Sequence, residues 1–202
     1  LPSMDPRCRV DRIDSKAGLV EVALERPVSR ERIPLGPLTG FDRYLAGSRF
    51  EAFWMVPEVG EPSDPVPPET QFLLLRRTDG SCVFLLPLAE GDFRCAFNGR
   101  GNELELVLET GDSHAPTEGG PAVLAVAGDD AYAVAQRAAD LLRERFGCVL
   151  REEKDVPEFI KGLGWCTWEA LPLFTADGVE ATLRALKAGG VAPRFIIVDD
   201  GW

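Results

Sequence analysis

The strongest constraint on this chain is a change of hydrophobic period near residue 129. Before it, short apolar runs are separated by turn residues, at 19–24, 49–56, 71–77, 82–88, 93–98, 104–110 and 122–127. Several alternate in period 2. In an extended chain Leu104, Leu106 and Leu108 face one way, and Glu103, Glu105 and Glu109 mostly face the other. Turn signals fall between the runs: Asp79-Gly80, Glu90-Gly91-Asp92, Asn98-Gly99-Arg100-Gly101-Asn102 and Gly111-Asp112. Short strands at this spacing predict an all-β sandwich. The stretch 60–68 (GEPSDPVPP) is rich in proline and predicts a loop, or an insertion over a sheet edge.

After residue 129 the period becomes helical. Over 129–146, Ala131, Val134, Ala135, Ala138, Leu141 and Leu142 form one apolar stripe. Asp129 is placed to cap the start of this helix and Gly147 its end. The polar run 151–155, followed by Pro157, reads as a linker. From Lys161 the pattern is β-α-β. It comprises a strand at 162–167, a helix at 175–188 with Val179, Leu183 and Leu186 inward, and a continuous apolar strand at 195–198. The two strands are about 30 residues apart, the size of one βαβ unit. A continuously apolar strand belongs in a parallel sheet covered on both faces. Two strands and one helix cannot supply that cover. The expectation is therefore a sandwich domain over 1–155, with its helix near 129–146, followed over 156–202 by the first β-α-β of a truncated (β/α)8 TIM-type barrel. The chain would then be the front piece of a longer protein.

Charge and cysteine usage narrow the function. The formal net charge is −11, which argues against nucleic-acid binding and a polybasic membrane anchor. No apolar run is long enough to span a bilayer. Leu1-Pro2-Ser3-Met4 lacks the character of a secretory leader, so a cytoplasmic location is expected. The five cysteines, Cys8, Cys82, Cys95, Cys148 and Cys166, include no C-x₂-C pair, so neither a zinc site nor a disulfide framework is expected. The single histidine, His114, sits in a polar loop and leaves no basis for a Ser-His-Asp engine. Gly99 and Gly101 lack the third glycine of a dinucleotide loop. No metal and no cofactor is implied.

Two clusters carry chemistry: Gly164-Trp165-Cys166-Thr167-Trp168-Glu169 and Val198-Asp199-Asp200-Gly201-Trp202. Each lies where a parallel strand gives way to its loop, the rim on which barrel enzymes build active sites. Adjacent carboxylates are poorly placed to flank a glycosidic bond from opposite sides at about 5–5.5 Å. Asp199 and Asp200 are better placed to accept hydrogen bonds from vicinal hydroxyls. Trp165, Trp168 and Trp202 can cover the C–H face of a pyranose while offering an N–H at the rim. Together these residues suggest a polyol pocket. On residue types alone the alternative stays open: a strand-end turn carrying a helix cap, with tryptophans in the core.

The segments GLGWCTWEALPLF, FIIVDDGW, PPETQFLLLRR, FLLPLAEGDFRCAFNG and NELELVLETGD resemble the raffinose synthase and seed imbibition protein family, grouped with the α-galactosidases of glycoside hydrolase family 36. The resemblance runs over about 50–202 and is poorer over 1–49. It implies a β-sandwich packed on a (β/α)8 barrel and activity on raffinose-type α-1,6-galactosides. The galactosyl bond would be hydrolysed with retention, or galactose passed from galactinol to sucrose. It implies that Asp199 and Asp200 bind sugar hydroxyls, that Trp168 lines the pocket, and that Trp165 and Trp202 belong to the same motifs. The catalytic nucleophile and acid/base are expected beyond residue 202, so the chain alone is expected to turn nothing over. Two other readings remain. One is a carbohydrate-binding module using Phe53 and Trp54, although Met55 and Val56 beside them suggest ordinary core. The other is a structural domain that shields a barrel or builds a homo-oligomer.

Overall fold

The computed structural model describes residues 5–168, 170 and 175–199. They form two compact units, 1–148 and 149–202. The first is mostly β. Its strands are β1 (Cys8–Arg12), β2 (Ala17–Val28), β3 (Arg30–Pro37), β4 (Phe41–Glu51), β5 (Trp54–Gly60), β6 (Thr70–Arg77), β7 (Cys82–Pro87), β8 (Ala89–Glu90), β9 (Phe93–Arg100), β10 (Glu103–Glu109) and β11 (Thr117–Gly128). One helix follows, α1 (Ala131–Phe146).

The strands make one curled antiparallel sheet in the order β1-β2-β11-β7-β6-β9-β10-β3, with β4 branching from β6 and β5 pairing with β4. The curl has a weak seam. β6 and β9 meet through the single pair Thr70–Phe97, so the ladder continues around the bend with almost no shared backbone. Inside the curl lies a core built on Ile33, Tyr44, Leu73, Phe97, Leu104, Leu106 and Leu108. The alternation expected for 104–108 is present, and Val107 is buried as well. A second core sits between the sheet and α1, where Leu19, Leu124 and Val126 meet Val134, Ala138 and Leu141. Ala135, expected on the apolar stripe, is exposed.

Several expectations need correcting. The run 49–56 is not one strand. The chain turns at Ala52-Phe53, between β4 and β5, and Glu51 lies opposite Trp54. No Gly, Pro, Asn or Asp marks that turn, so the apolar run concealed it. Phe53 and Trp54 are 79% and 61% exposed and Met55 is exposed too, so they are not core within this unit. Strand β3 has no alternating apolar signature and carries Pro34 and Pro37. Among the described residues it pairs only with β10, and an edge position tolerates residues that cannot donate to a second neighbour. The α1 cap is Asp130, not Asp129: its Oδ1 accepts from the Ala133 N–H at 2.8 Å. Gly147 ends α1 in the left-handed conformation, its N–H donating to the Arg143 carbonyl.

The proline-rich loop is tied down along its second half. Tyr44 Oη donates to the Pro65 carbonyl at 2.9 Å, and the Gly99 N–H donates to the Val66 carbonyl at 2.9 Å. A Cβ on Gly99 would lie 2.4 Å from the Val66 backbone, so only glycine permits this approach. The loop ends at Glu69, a non-glycine residue with φ 56°. Such a conformation costs on the order of 1 kcal/mol. It is held by five hydrogen bonds, one of them from the Gln71 side-chain amide to the Glu69 carbonyl at 3.0 Å. The Glu69 N–H donates to Asn98 Oδ1, its carbonyl accepts from the Arg49 N–H, and its carboxylate accepts from Arg49 at 2.7 Å and Arg94 at 2.9 Å. Arg94 also pairs with Glu109.

The second unit holds two short 3₁₀ turns, Arg151–Glu153 and Glu158–Lys161, in the stretch read as a linker. Beyond them come β12 (Gly164–Cys166), α2 (Ala176–Ala188) and β13 (Phe195–Ile197). β12 and β13 pair in parallel. Gly164 lies under the Phe195 ring, where a Cβ would come within 2.1 Å, and that ring meets Phe159 edge-on at 5.3 Å. Thr175 caps α2 by accepting from the Gly178 N–H. Val179, Leu183 and Leu186 share the inner face, but none of them is fully buried, and Ile196, Ile197 and Val198 are exposed. Among the described residues no helix is long and apolar enough to cross a membrane.

The Glu69 cluster gives a pH-dependent expectation. Burial pushes the Glu69 carboxyl up, but the hydrogen bonds and charges of Arg94 and Arg49 outweigh it and hold it below the ordinary glutamate value. The folded state therefore binds fewer protons in acid than the unfolded chain. The stabilisation is complete above the ordinary value and is lost as pH falls through the lowered one. Glu69→Gln is expected to destabilise the protein by about 1 kcal/mol at neutral pH and by much less near pH 3, measured by chemical denaturation at both.

Candidate functional site

The parallel pair β12–β13 brings the two sequence clusters together. Its register is Gly164 with Phe195, Trp165 with Ile196 and Cys166 with Ile197. Both strands therefore end at the same level, and among the described residues Thr167 and Trp168 follow one of them where Val198 and Asp199 follow the other. The Thr167 N–H continues the ladder to the Ile197 carbonyl at 3.0 Å. The Asp199 N–H donates to Thr167 Oγ1 at 2.9 Å, and the Cys166 thiol donates to Asp199 Oδ2 across 3.4 Å.

Paired residues of a parallel ladder share a face, and alternate residues of one strand share it too. Cys166, Ile197 and Asp199 therefore lie on one side, in keeping with the thiol–carboxylate contact. Trp165 is half-buried and sits with Ile196 on the opposite side. Trp168 follows the strand in a turn and is 56% exposed. Asp200 and Trp202 lie outside the described residues, as do Gly201 and Glu169.

Thr167 is the residue that sequence reading passed over. It is the most deeply buried group of the rim, at 1% exposure. Its signal was its position: a hydroxyl one residue past the end of a strand can bond to backbone that the ladder has released. Cys166, read only as a thiol within a strand, touches the aspartate instead.

The other sequence candidates lie apart from any such arrangement. His114 is exposed, and its backbone N–H donates to Asp112 Oδ1 at 2.8 Å. All five cysteines are free thiols, and among the described residues no three His, Cys, Asp or Glu side chains gather as a metal would require. The thiols differ in environment. Burial pushes the Cys95 thiol up to about 12, whereas Cys148 is exposed. Since the thiolate is the reacting form, iodoacetamide is expected to modify Cys148 first. Cys95 and the buried Cys82 should react only once the protein unfolds, as read by mass spectrometry of timed digests.

The family model "Raffinose synthase or seed imbibition protein Sip1" matches residues 3–202, and the chain belongs to that family. Among curated relatives, the probable galactinol–sucrose galactosyltransferase 1 of Arabidopsis thaliana is 36% identical over 200 residues, covering 91% of this chain and 26% of its own length. The galactinol–sucrose galactosyltransferase of Oryza sativa subsp. japonica is 33% identical, covering 90% and 25%. Stachyose synthase of Pisum sativum is 30% identical, covering 93% and 22%. The chain thus spans about a quarter of the length of the curated relatives it matches. Among solved structures, the α-galactosidase TtGalA of Thermus thermophilus in complex with stachyose aligns at TM-score 0.43 and 14% identity, over 90% of this chain and 41% of that one.

Proposed function

We propose that this chain supplies the β-sandwich and the opening β-α-β of a (β/α)8 barrel in an enzyme that acts on α-galactosides with retention. In this reading the sandwich is the curled sheet of residues 1–148, and the barrel begins within 149–202. Asp199 and Asp200, with Trp168 and Trp202, form the galactose subsite, and Trp165, expected there from its motif, backs it from the other face of β12. The observation that carries the reading is the shared strand end: the β12–β13 register sets Asp199 beside the GWCTW cluster.

The chemistry follows from the groups. A galactose hydroxyl donating to a carboxylate gains roughly 1.5–3 kcal/mol. An exposed indole such as Trp168 offers an apolar face to the C–H side of the ring. Asp199 and Asp200 bind rather than cleave, because neighbouring residues cannot stand on both sides of one glycosidic bond. The names of the relatives, two galactinol–sucrose galactosyltransferases and a stachyose synthase, favour galactosyl transfer to a sugar acceptor over hydrolysis.

The test uses the protein expressed at the full length of its reading frame, with p-nitrophenyl α-D-galactopyranoside as donor. Asp199→Asn is expected to lower kcat/KM by about tenfold to a hundredfold, the loss of one charged hydrogen bond. An unchanged kcat/KM overturns the assignment.

A second reading is favoured by the exposure of Phe53 and Trp54 at the β4–β5 turn, where the rings meet edge-on with centroids 5.7 Å apart. Such a pair can serve as a platform for a neutral oligosaccharide. Under this reading stachyose quenches the indole fluorescence of the chain, Trp54→Ala abolishes the quenching and Asp199→Asn leaves it intact. The reverse pattern supports the rim subsite.

A further inference from the structure

We infer that Thr167 is a positioning residue that orients Asp199 toward the sugar, assisted by the Cys166 thiol; this rests on the galactose-subsite reading. The argument begins with the ladder. In a regular parallel pair with this register, the Thr167 N–H would donate to the Ile197 carbonyl and the Asp199 N–H to the Thr167 carbonyl. The first bond is present at 3.0 Å. In place of the second, the Asp199 N–H is taken by the Thr167 side-chain hydroxyl at 2.9 Å. The Thr167 carbonyl accepts instead from the Ala170 N–H at 3.2 Å and opens the turn that follows.

One hydroxyl therefore stands in for a backbone carbonyl. It lets the chain after β12 leave the sheet while Asp199 keeps a ladder-like bond. The substitution has two consequences. The backbone of Asp199 is anchored to a side chain that is itself buried, so the position of its Cα is set from outside its own strand. Its carboxylate is then turned by a second contact, from Cys166 Sγ to Oδ2 at 3.4 Å. A carboxylate oriented before the sugar arrives loses less freedom on binding than one that must be ordered by it. Thr167 needs no contact with substrate to act in this way.

The experiment reads KM and kcat separately, on the full-length protein with p-nitrophenyl α-D-galactopyranoside. Thr167→Val keeps the shape and removes the acceptor. It is expected to raise KM about tenfold with kcat little changed, the pattern of lost uniform binding. Thr167→Ser, which restores the hydroxyl, is expected to return KM to within about twofold of the wild type. Cys166→Ala leaves the Thr167 hydroxyl in place and is expected to raise KM about threefold, while Cys166→Ser does not. The inference is overturned if Thr167→Val and Thr167→Ser share the wild-type KM, or both show the same loss, while Asp199→Asn remains impaired. Should Thr167→Val fail to fold, the Cys166→Ala and Cys166→Ser pair decides: no difference between them overturns the carboxylate's positioning. If Asp199→Asn itself has no effect, the subsite reading falls, and that result is distinct from the others.

Discussion

Strand β11 holds the first unit together because both of its faces are apolar. Leu124 and Val126 point to the helix α1, while Ala122 and Val123 point into the curl. A register shift between Pro121 and Val123 lets two neighbours serve the same core. Burying a side chain of this size fully is worth about 1.5–3 kcal/mol. β11 does so on both sides while pairing with β2 and β7. The single bridge between β6 and β9 can then suffice at the bend, since packing inside the curl replaces the missing ladder.

The second unit is organised by its backbone more than by burial. Three paired positions and one glycine under a phenylalanine ring define the register. That register decides which chemistry is adjacent. One residue of slip would move the Asp199 carboxylate to the other face of the pair, away from the thiol. Within this unit the isoleucines of β13 are exposed and the inner face of α2 is half covered, so burial contributes little to fixing that register.

Much of this was legible in the sequence where periodicity was strong. The strands at 71–77, 82–88, 93–98 and 104–110 and both helices follow from alternation, turn residues and caps, and the β-α-β order follows from the apolar run at 195–198. The β4–β5 turn was hidden because two strands with apolar ends abut at Ala52-Phe53 without a turn residue. β3 was hidden because an edge strand can be built from charge and proline when only one neighbour asks for hydrogen bonds. At α1 two adjacent aspartates competed for the cap, and the spacing to Ala133 selected Asp130. At the rim, the motifs announced Asp199, but the role of Thr167 depends on which acceptor an N–H finds at the end of a ladder. That choice is three-dimensional, and the sequence offers only the position of a hydroxyl one residue past the strand.

The proline-rich loop is really two segments with different tolerances. Residues 65–70 are pinned: Val66 bonds to Gly99, Pro65 to Tyr44, and Glu69 to Asn98, Arg49, Gln71 and Arg94, so a shift of one residue would break several contacts together. Residues 61–64 form an exposed turn closed by Glu61 and Asp64, and Glu61 also makes an exposed ion pair with Arg43 at 3.5 Å, of a kind worth little. Lengthening such a turn costs entropy only as the logarithm of its length. Evolution, or a protein engineer, therefore has one inexpensive place in this region to splice in new residues, and it ends at Asp64.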